Sequence, residues 1–229
     1  MINNTPNHIA IILDGNRRFA KKLMLEPWKG HEYGRIKVEN IIEYAKSLGI
    51  NELTFYALSQ ENIKSRPKLE LEFLYKIFKE FFKSMNREKI FQNKVCFKFI
   101  GELDLLPNEL KNQCLELEKD TKDHDNLRVN MAVAYGGRQE LIRAIKNILK
   151  NKIKPEDLSE EILEQNLYMS NQPDLIIRTG GEKRTSNFLP WQGSYSEWIF
   201  LDKMWPEFDK EDLIDCIEQY KSRKRNFGK

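Results

Sequence analysis

The chain has 229 residues, enough for one large domain or two small ones, with 40% hydrophobic residues to fill a core and 32% charged residues to keep it soluble. Thirty-eight basic against 35 acidic residues leave a formal charge of +3, too balanced to point to nucleic acid, so any basic site must be local. No apolar run approaches the ~18 residues that span a bilayer, and the N-terminus lacks the apolar stretch of a signal peptide, so a cytoplasmic protein is expected. Cys96, Cys114 and Cys216 are widely spaced, odd in number and without metal-ligand spacing, which reads as reduced thiols. No repeat, low-complexity tract or Gly/Ser linker interrupts residues 1–229, and a single domain is expected.

Residues 9–13 are a short apolar run, the mark of a buried strand, and they end abruptly in Asp14-Gly15-Asn16-Arg17-Arg18. A helix-forming run from Phe19 follows. A strand, a glycine turn and a helix start leave backbone N–H groups free at the carboxyl edge of a sheet, and two adjacent arginines reinforce that affinity for anions. Asp14 would repel a phosphate unless a divalent cation lay between them, which makes it a candidate magnesium ligand. Read alone, the same five residues are also compatible with an ordinary turn flanked by solvated arginines.

Residues 31–48 carry Val38, Ile41, Ile42, Ala45 and Leu48 at helical spacing before the stop at Gly49. Residues 53–58 form a second strand, which runs into the polar segment 59–67 at the same edge of the sheet. Pro67 suits a first helical position, and the pattern runs on to about Ile90 as one long helix of ~36 Å. Its aromatic stripe (Leu71, Phe73, Leu74, Ile77, Phe78, Phe81, Phe82, Met85) is either plain core or the wall of a long apolar cleft.

Residues 94–100 alternate as a half-exposed strand, residues 107–124 form an amphipathic helix, and residues 127–134 make a fourth strand. Tyr135-Gly136-Gly137-Arg138 turns the chain into another helix, and a short helix is expected near residues 159–168. Residues 174–178 are a fifth strand, followed by nine residues dense in anion-binding groups, from Thr179 to Asn187. Residues 197–201 make a sixth strand, residues 209–220 the last helix, and a basic tail follows. The alternation predicts an α/β domain with a six-stranded, mostly parallel sheet flanked by helices. The loops after strands one, two and five then gather at its carboxyl edge, where such folds bind ligands. Two phosphate cradles near Arg18 and Arg184, two carboxylates (Asp14 and Glu197) and an apolar cleft beneath would suit two diphosphates and one greasy chain.

The blocks HIAIILDGNRRFAKK, Gly30-His31, YALSQEN, RPKLELEFL, AYGGR, PDLIIRTGGEKRTSNFLPWQGSYSEWIF and WPEF together resemble the cis-prenyltransferase family of the undecaprenyl diphosphate synthase type. The resemblance spans nearly the whole chain. It implies a homodimer that extends an allylic diphosphate, farnesyl or geranylgeranyl, with isopentenyl diphosphate units in cis to a long polyprenyl diphosphate, a carrier-lipid precursor. By the same resemblance, Asp14 is catalytic and magnesium-linked, and Gly15, Asn16, Arg17, Arg18, Phe19 and His31 belong to the allylic diphosphate site. Ser59, Gln60, Glu61, Asn62, Ile63 and Arg66 fall in the loop over the reacting carbons, with Asn62 catalytic. Arg178, Arg184, Thr185 and Ser186 match the isopentenyl diphosphate site, and Glu197 the second Mg2+-linked carboxylate. Glu70 falls where the family often has a glutamate, although a solvated helix residue is equally compatible with its position. Peripheral contact with a membrane during product release, and no nucleic-acid partner, complete the expectation.

The chain departs from the family pattern at several points. Phe19 and Ile63 stand for tryptophans, Lys64-Ser65 adds a residue to the loop, Pro27 stands for an arginine that Lys29 would have to replace, and Ala134 stands for an asparagine. Asn226 stands where many relatives carry an arginine that reaches across the dimer. These departures, with AYGGR and SNFLPWQ, bring the chain closer to archaeal-type members. Asn226 also keeps open a rival reading, a non-catalytic subunit of a heteromeric prenyltransferase, against which the retained charged residues argue. A nucleotide-binding domain is disfavoured, since neither GxGxxG nor GxxxxGK[ST] occurs.

Overall fold

Six strands, β1 (His8–Ile12), β2 (Glu52–Ser59), β3 (Val95–Ile100), β4 (Leu127–Tyr135), β5 (Leu175–Arg178) and β6 (Glu197–Phe200), form one sheet in the order β3-β4-β2-β1-β5-β6. In this computed structural model, which describes residues 5–223, every strand pair is parallel. Parallel strands are joined by crossovers that place helices on the faces, which is why β1 and β5 are buried at every position and read as unbroken apolar runs. At the edge, β3 keeps the predicted alternation, with Lys98 exposed. β4 does not. It lies between β3 and β2, and Arg128 is its one exposed residue; buried Asn130 donates through Nδ2 to Glu52 Oε1 at 2.7 Å and Thr54 Oγ1 at 3.0 Å.

The helices are α1 (Asn16–Lys22), α2 (Gly30–Ser47), α3 (Gln60–Ser65), α4 (Lys68–Ser84), α5 (Arg87–Gln92), α6 (Asn108–Thr121), α7 (Gly137–Lys150), α8 (Glu160–Asn166) and α9 (Lys210–Ser222). One sheet face packs Ile9, Phe55 and Val129 against the apolar stripes of α2, α4, α6 and α9. The other packs Ala10, Tyr56 and Ile176 against Tyr135, Phe188 and Leu189.

The single helix predicted over residues 67–90 is two helices. Apolar periodicity runs through the break without a phase change, but the backbone leaves the helix at Met85 (ψ 122°) and Asn86 starts a new one by accepting the Lys89 N–H at 2.9 Å. Pro67 is not the first helical residue but an extended cap with ψ 143°. The longest stretch of this region is therefore 17 residues, ~25 Å rather than ~36 Å. None of the three cysteines is paired, and burial pushes the Cys114 and Cys216 thiols up to about 12. Among the described residues, no helix is long and apolar enough to cross a membrane. Asn226 and the Phe227-Gly228 end lie outside the described residues.

Candidate active site

Asp14 follows β1 at the carboxyl edge of the sheet, and its main chain is fixed from two sides. Its N–H donates to Thr179 Oγ1 at 3.1 Å, and its carbonyl accepts from the Trp205 N–H at 2.9 Å. The carboxylate accepts from Arg178 Nη2 at 2.9 Å, Arg18 Nη2 at 3.1 Å and the Gly15 N–H at 2.6 Å. Gly15 turns the chain at φ 103°, where a Cβ would also stand 2.8 Å from Met204 Cβ. Beyond it, α1 and α2 touch backbone to backbone: a Cβ on Gly30 would sit 1.8 Å from the Asn16 main-chain carbonyl.

Arg178 is 4% exposed and organises the loop after β5, donating to Ser186 Oγ at 2.8 Å and to the Arg184 carbonyl. Arg184 itself reaches solvent and pairs with Glu182. Ser186, Asn187 and Leu189 adopt left-handed backbone at φ 49°, 61° and 45°. The turn after β4 holds that shape: the Gly137 N–H donates to the Asn187 carbonyl at 2.8 Å and the Arg138 N–H to Asn187 Oδ1 at 2.9 Å. Asn187 Nδ2 in turn donates to Glu61 Oε1 on α3 at 2.8 Å.

On the opposite flank, Glu70 is 4% exposed and collects two cations, Arg66 at 3.0 Å and Arg17 at 3.6 Å. It is no solvated helix residue. Arg66 also donates to His31 Nε2 at 3.3 Å, which places the neutral ring's proton on Nδ1. Burial, with Arg66 and Arg17 nearby, pushes the His31 pKa down to about 3, so the ring is an uncharged acceptor at neutral pH. Ser59 caps α3 by accepting the Asn62 N–H at 3.1 Å.

Between these flanks lies a cavity of about 790 Å3. Asp14, Asn16, Arg17, His31, Ser59, Glu61, Asn62, Arg66, Arg178, Arg184 and Ser186, all among the expected site residues, line its polar part. Val38, Leu74, Ile77, Phe78, Phe81 and Met131 line its apolar part. Gly15 and Arg18 stand just behind Asp14. Neither these two nor four other expected residues line it: Phe19 packs edge-on against Tyr33, Gln60 is buried at the start of α3, Ile63 packs against the core, and Thr185 faces solvent, and Glu197 is absent from the lining as well.

Glu197 is not brought to Asp14 within this chain. It pairs with Leu175 at the amino end of β6 and β5, whereas Arg178 and Ile12 pair at the other end, three residues or roughly 10 Å along the strands. Its carboxylate accepts from Arg223 at 2.7 Å instead. Among the described residues, no three acidic, histidine or cysteine side chains converge as a metal cage. Sequence reasoning missed Arg35, Arg138, Asn187 and Trp205, all of which line the cavity. Arg138 was signalled by its place after the glycine turn of the fourth strand, whose loop also reaches the carboxyl edge.

The chain matches the prenyltransferase family model described as undecaprenyl diphosphate synthase over residues 12–228. It belongs to the undecaprenyl diphosphate synthase family of cis-prenyltransferases. It is 44% identical over 98% of its length to a tritrans,polycis-undecaprenyl-diphosphate synthase (geranylgeranyl-diphosphate specific) from Methanopyrus kandleri, covering 85% of that protein. It is also 44% identical to the enzyme of the same name from Thermococcus kodakarensis, over 99% of this chain and 88% of the relative. A crystal structure of lavandulyl diphosphate synthase from Lavandula x intermedia, in complex with dimethylallyl diphosphate, superposes with a TM-score of 0.94 at 35% identity, covering 99% of each chain. The protein is thus a transferase of prenyl groups, and its kinship is with archaeal members. Two family departures gain a physical reading: Ile63 packs against the core, and Ala134, where asparagine is usual, holds φ 51° in a region asparagine tolerates better.

Proposed function

We propose that the protein condenses isopentenyl diphosphate in cis onto geranylgeranyl diphosphate, releasing a long-chain polyprenyl diphosphate of the undecaprenyl type. One observation carries the reading: two separate cation clusters, around Arg17 and around Arg178, face one carboxylate at the head of a cavity whose other part is apolar. The geranylgeranyl starter follows the names of the archaeal relatives. Farnesyl diphosphate is the alternative starter.

Asn16, Arg17, Arg18 and His31 hold the allylic diphosphate, and Arg178, Arg184 and Ser186 hold isopentenyl diphosphate. Asp14 fits Mg2+, because that ion keeps substrate phosphates and waters as ligands and needs only one or two protein carboxylates. Glu197 of the same subunit does not supply the second. When bound, the ion would neutralise charge developing on the departing diphosphate. Arg17 and Arg18 share that role, since ionisation of the allylic C–O bond dominates the barrier. Ser59 and Arg66 fix the loop that sets the reacting carbons against each other. Asn62 is a neutral amide and a poor base, so it orients the departing proton towards a diphosphate oxygen. An Asn62→Asp variant that ran faster with an unchanged pH profile would contradict this role.

The growing chain occupies the apolar part of the cavity, where Phe81 stands between it and a smaller hollow of about 100 Å3 lined by Met85, Val95 and Leu127. A homodimer is supported by α7, whose Ile142, Ile145 and Leu149 form an apolar stripe left in water at 53%, 46% and 68% exposure. Purified protein with magnesium, isopentenyl diphosphate and either starter tests the whole reading. Elongation by this chain alone is expected, faster from geranylgeranyl diphosphate. No product from either starter would overturn it in favour of a non-catalytic subunit.

A further inference from the structure

One cation in the cavity wall is out of place. Arg17, Arg66, Arg138, Arg178 and Arg184 all line the cavity from segments that follow strands at the carboxyl edge. Arg35 shares the lining but comes from α2, one turn before Val38, whose side chain lines the apolar part. Its Nη1 donates to Glu39 Oε1 at 3.0 Å and to Ser84 Oγ at 2.6 Å. Ser84 closes α4, and from Glu70, in the first turn, that helix runs roughly 20 Å to reach it. Arg35 therefore ties α2 to the end of α4 remote from the cation cluster around Glu70.

The tie lies on the border between two hollows. Arg35 and Phe81 line the large cavity, whereas Glu39 and Phe81 line the smaller one of about 100 Å3. Ser84 stands one turn after Phe81 and donates to its carbonyl at 3.3 Å, so ring and ion pair close the same level. Phe81 is 4% exposed and packs into the core, but the Arg35 side chain keeps 20% exposure and Glu39 36%. Water thus reaches the pair, and as a stabilising device a half-exposed i,i+4 pair contributes little. Against a hydrocarbon it acts differently. A tail pressed on the guanidinium would strip its water and offer no acceptor in return, which is costly for a charge.

We propose that Arg35, held on Glu39 and Ser84, is a charged stop that limits how long a hydrocarbon tail the cavity accepts. This deepens the prenyl-transfer reading and rests on it, since the stop would then set the length of the product. Phe81 closes the core side of the barrier and Arg35 the side open to water.

Calorimetric binding of a series of n-alkyl diphosphates of increasing length tests the stop without turnover. In the wild type, affinity should rise with each added methylene and level off once the tail meets Arg35. Arg35→Met keeps a long stem without the charge. It should let the rise continue, so that members past the wild-type plateau bind about tenfold tighter once about two further methylenes are buried, while short members bind equally. Ser84→Ala frees the guanidinium from α4 and should move the plateau less, in the same direction. Arg35→Glu/Glu39→Arg returns opposite charges to the border and should restore the plateau. With isopentenyl diphosphate and magnesium, Arg35→Met should yield longer products than the wild type. A wild type without a plateau, a plateau unmoved in Arg35→Met and Ser84→Ala, or an equal gain at every length would overturn the proposal. A protein that shows the plateau and its shift yet makes no product would overturn the prenyl-transfer reading and leave the stop standing.

Discussion

On one flank of Asp14, side chains hold side chains: Glu70 is buried between Arg66 and Arg17, and Arg66 leans on His31. On the other flank, backbone does the holding, with Ser186 and Asn187 in left-handed conformations clasped by the N–H groups that follow β4. The first arrangement is a stiff, desolvated charge network, suited to a leaving group that must be stabilised as it ionises. The second leaves Arg184 in solvent beside Glu182, suited to a substrate that must enter anew in every cycle of elongation. The two proposed diphosphate sites are therefore expected to fail differently when disturbed.

The largest expected effect lies between the flanks. Asp14→Ala should lower kcat by about 10³ or more and leave isopentenyl diphosphate binding nearly intact, because in the proposed reaction Arg178, Arg184 and Ser186 hold that substrate. If Asp14 merely fixed the turn, the variant would lose ~1 kcal/mol of stability and keep its turnover. Steady-state kinetics with a thermal melt separates the two.

Glu70→Ala should cost about 3–5 kcal/mol in denaturant unfolding, since Arg66, 15% exposed, is left without its carboxylate. Adding Arg66→Met should restore part of that loss. A loss that stays below ~1 kcal/mol would mean that the first flank is not the stiff one.

Phe81→Ala should lengthen the products by opening the apolar cavity to the hollow behind it, at a cost of about 3–5 kcal/mol of stability. Unchanged product lengths in a destabilised variant would make Phe81 plain core.

The smallest effect is a slope. His31 binds a proton near pH 6.5 when unfolded and only near 3 when folded. The unfolded state therefore holds the extra proton between those values. This contribution to stability is complete above about pH 6.5 and is lost as pH falls towards 3, by at most ~1.4 kcal/mol per pH unit. His31→Asn should flatten the slope of unfolding free energy against pH in that window. Parallel slopes would show that the ring titrates normally.

Much of the first flank is legible in the sequence. The matched motifs place Arg17, His31 and Arg66 at one site and Asp14-Gly15 ends an unmistakable buried strand, whereas the Arg66–Glu70 pair follows no helical spacing, because Arg66 is extended ahead of α4. The clasp of the second flank is not, because non-glycine residues at positive φ leave no pattern, and the partner that stabilises Asn187 lies about 50 residues away in the chain. The break at Met85 was hidden for a related reason: apolar spacing reports which side is buried, not whether the axis continues. Glu197 was placed beside Asp14 by motif. Strand register instead puts it at the far end of a parallel pair, a distance that no spacing rule contains. The α/β class and the sheet's parallel sense followed from alternation alone, whereas the burial of β4 needed its neighbours.

The claim that two diphosphates are held by two independent devices is tested most directly by ligand binding without turnover. Titrating a non-ionising thio-diphosphate analogue of geranylgeranyl diphosphate, and separately isopentenyl diphosphate, into Arg17→Ala and Arg184→Ala should give a crossed pattern. Arg17→Ala should weaken the allylic analogue about tenfold or more and leave isopentenyl diphosphate unchanged, and Arg184→Ala should do the reverse. Both substitutions weakening the same ligand, or each weakening both equally, would contradict the account.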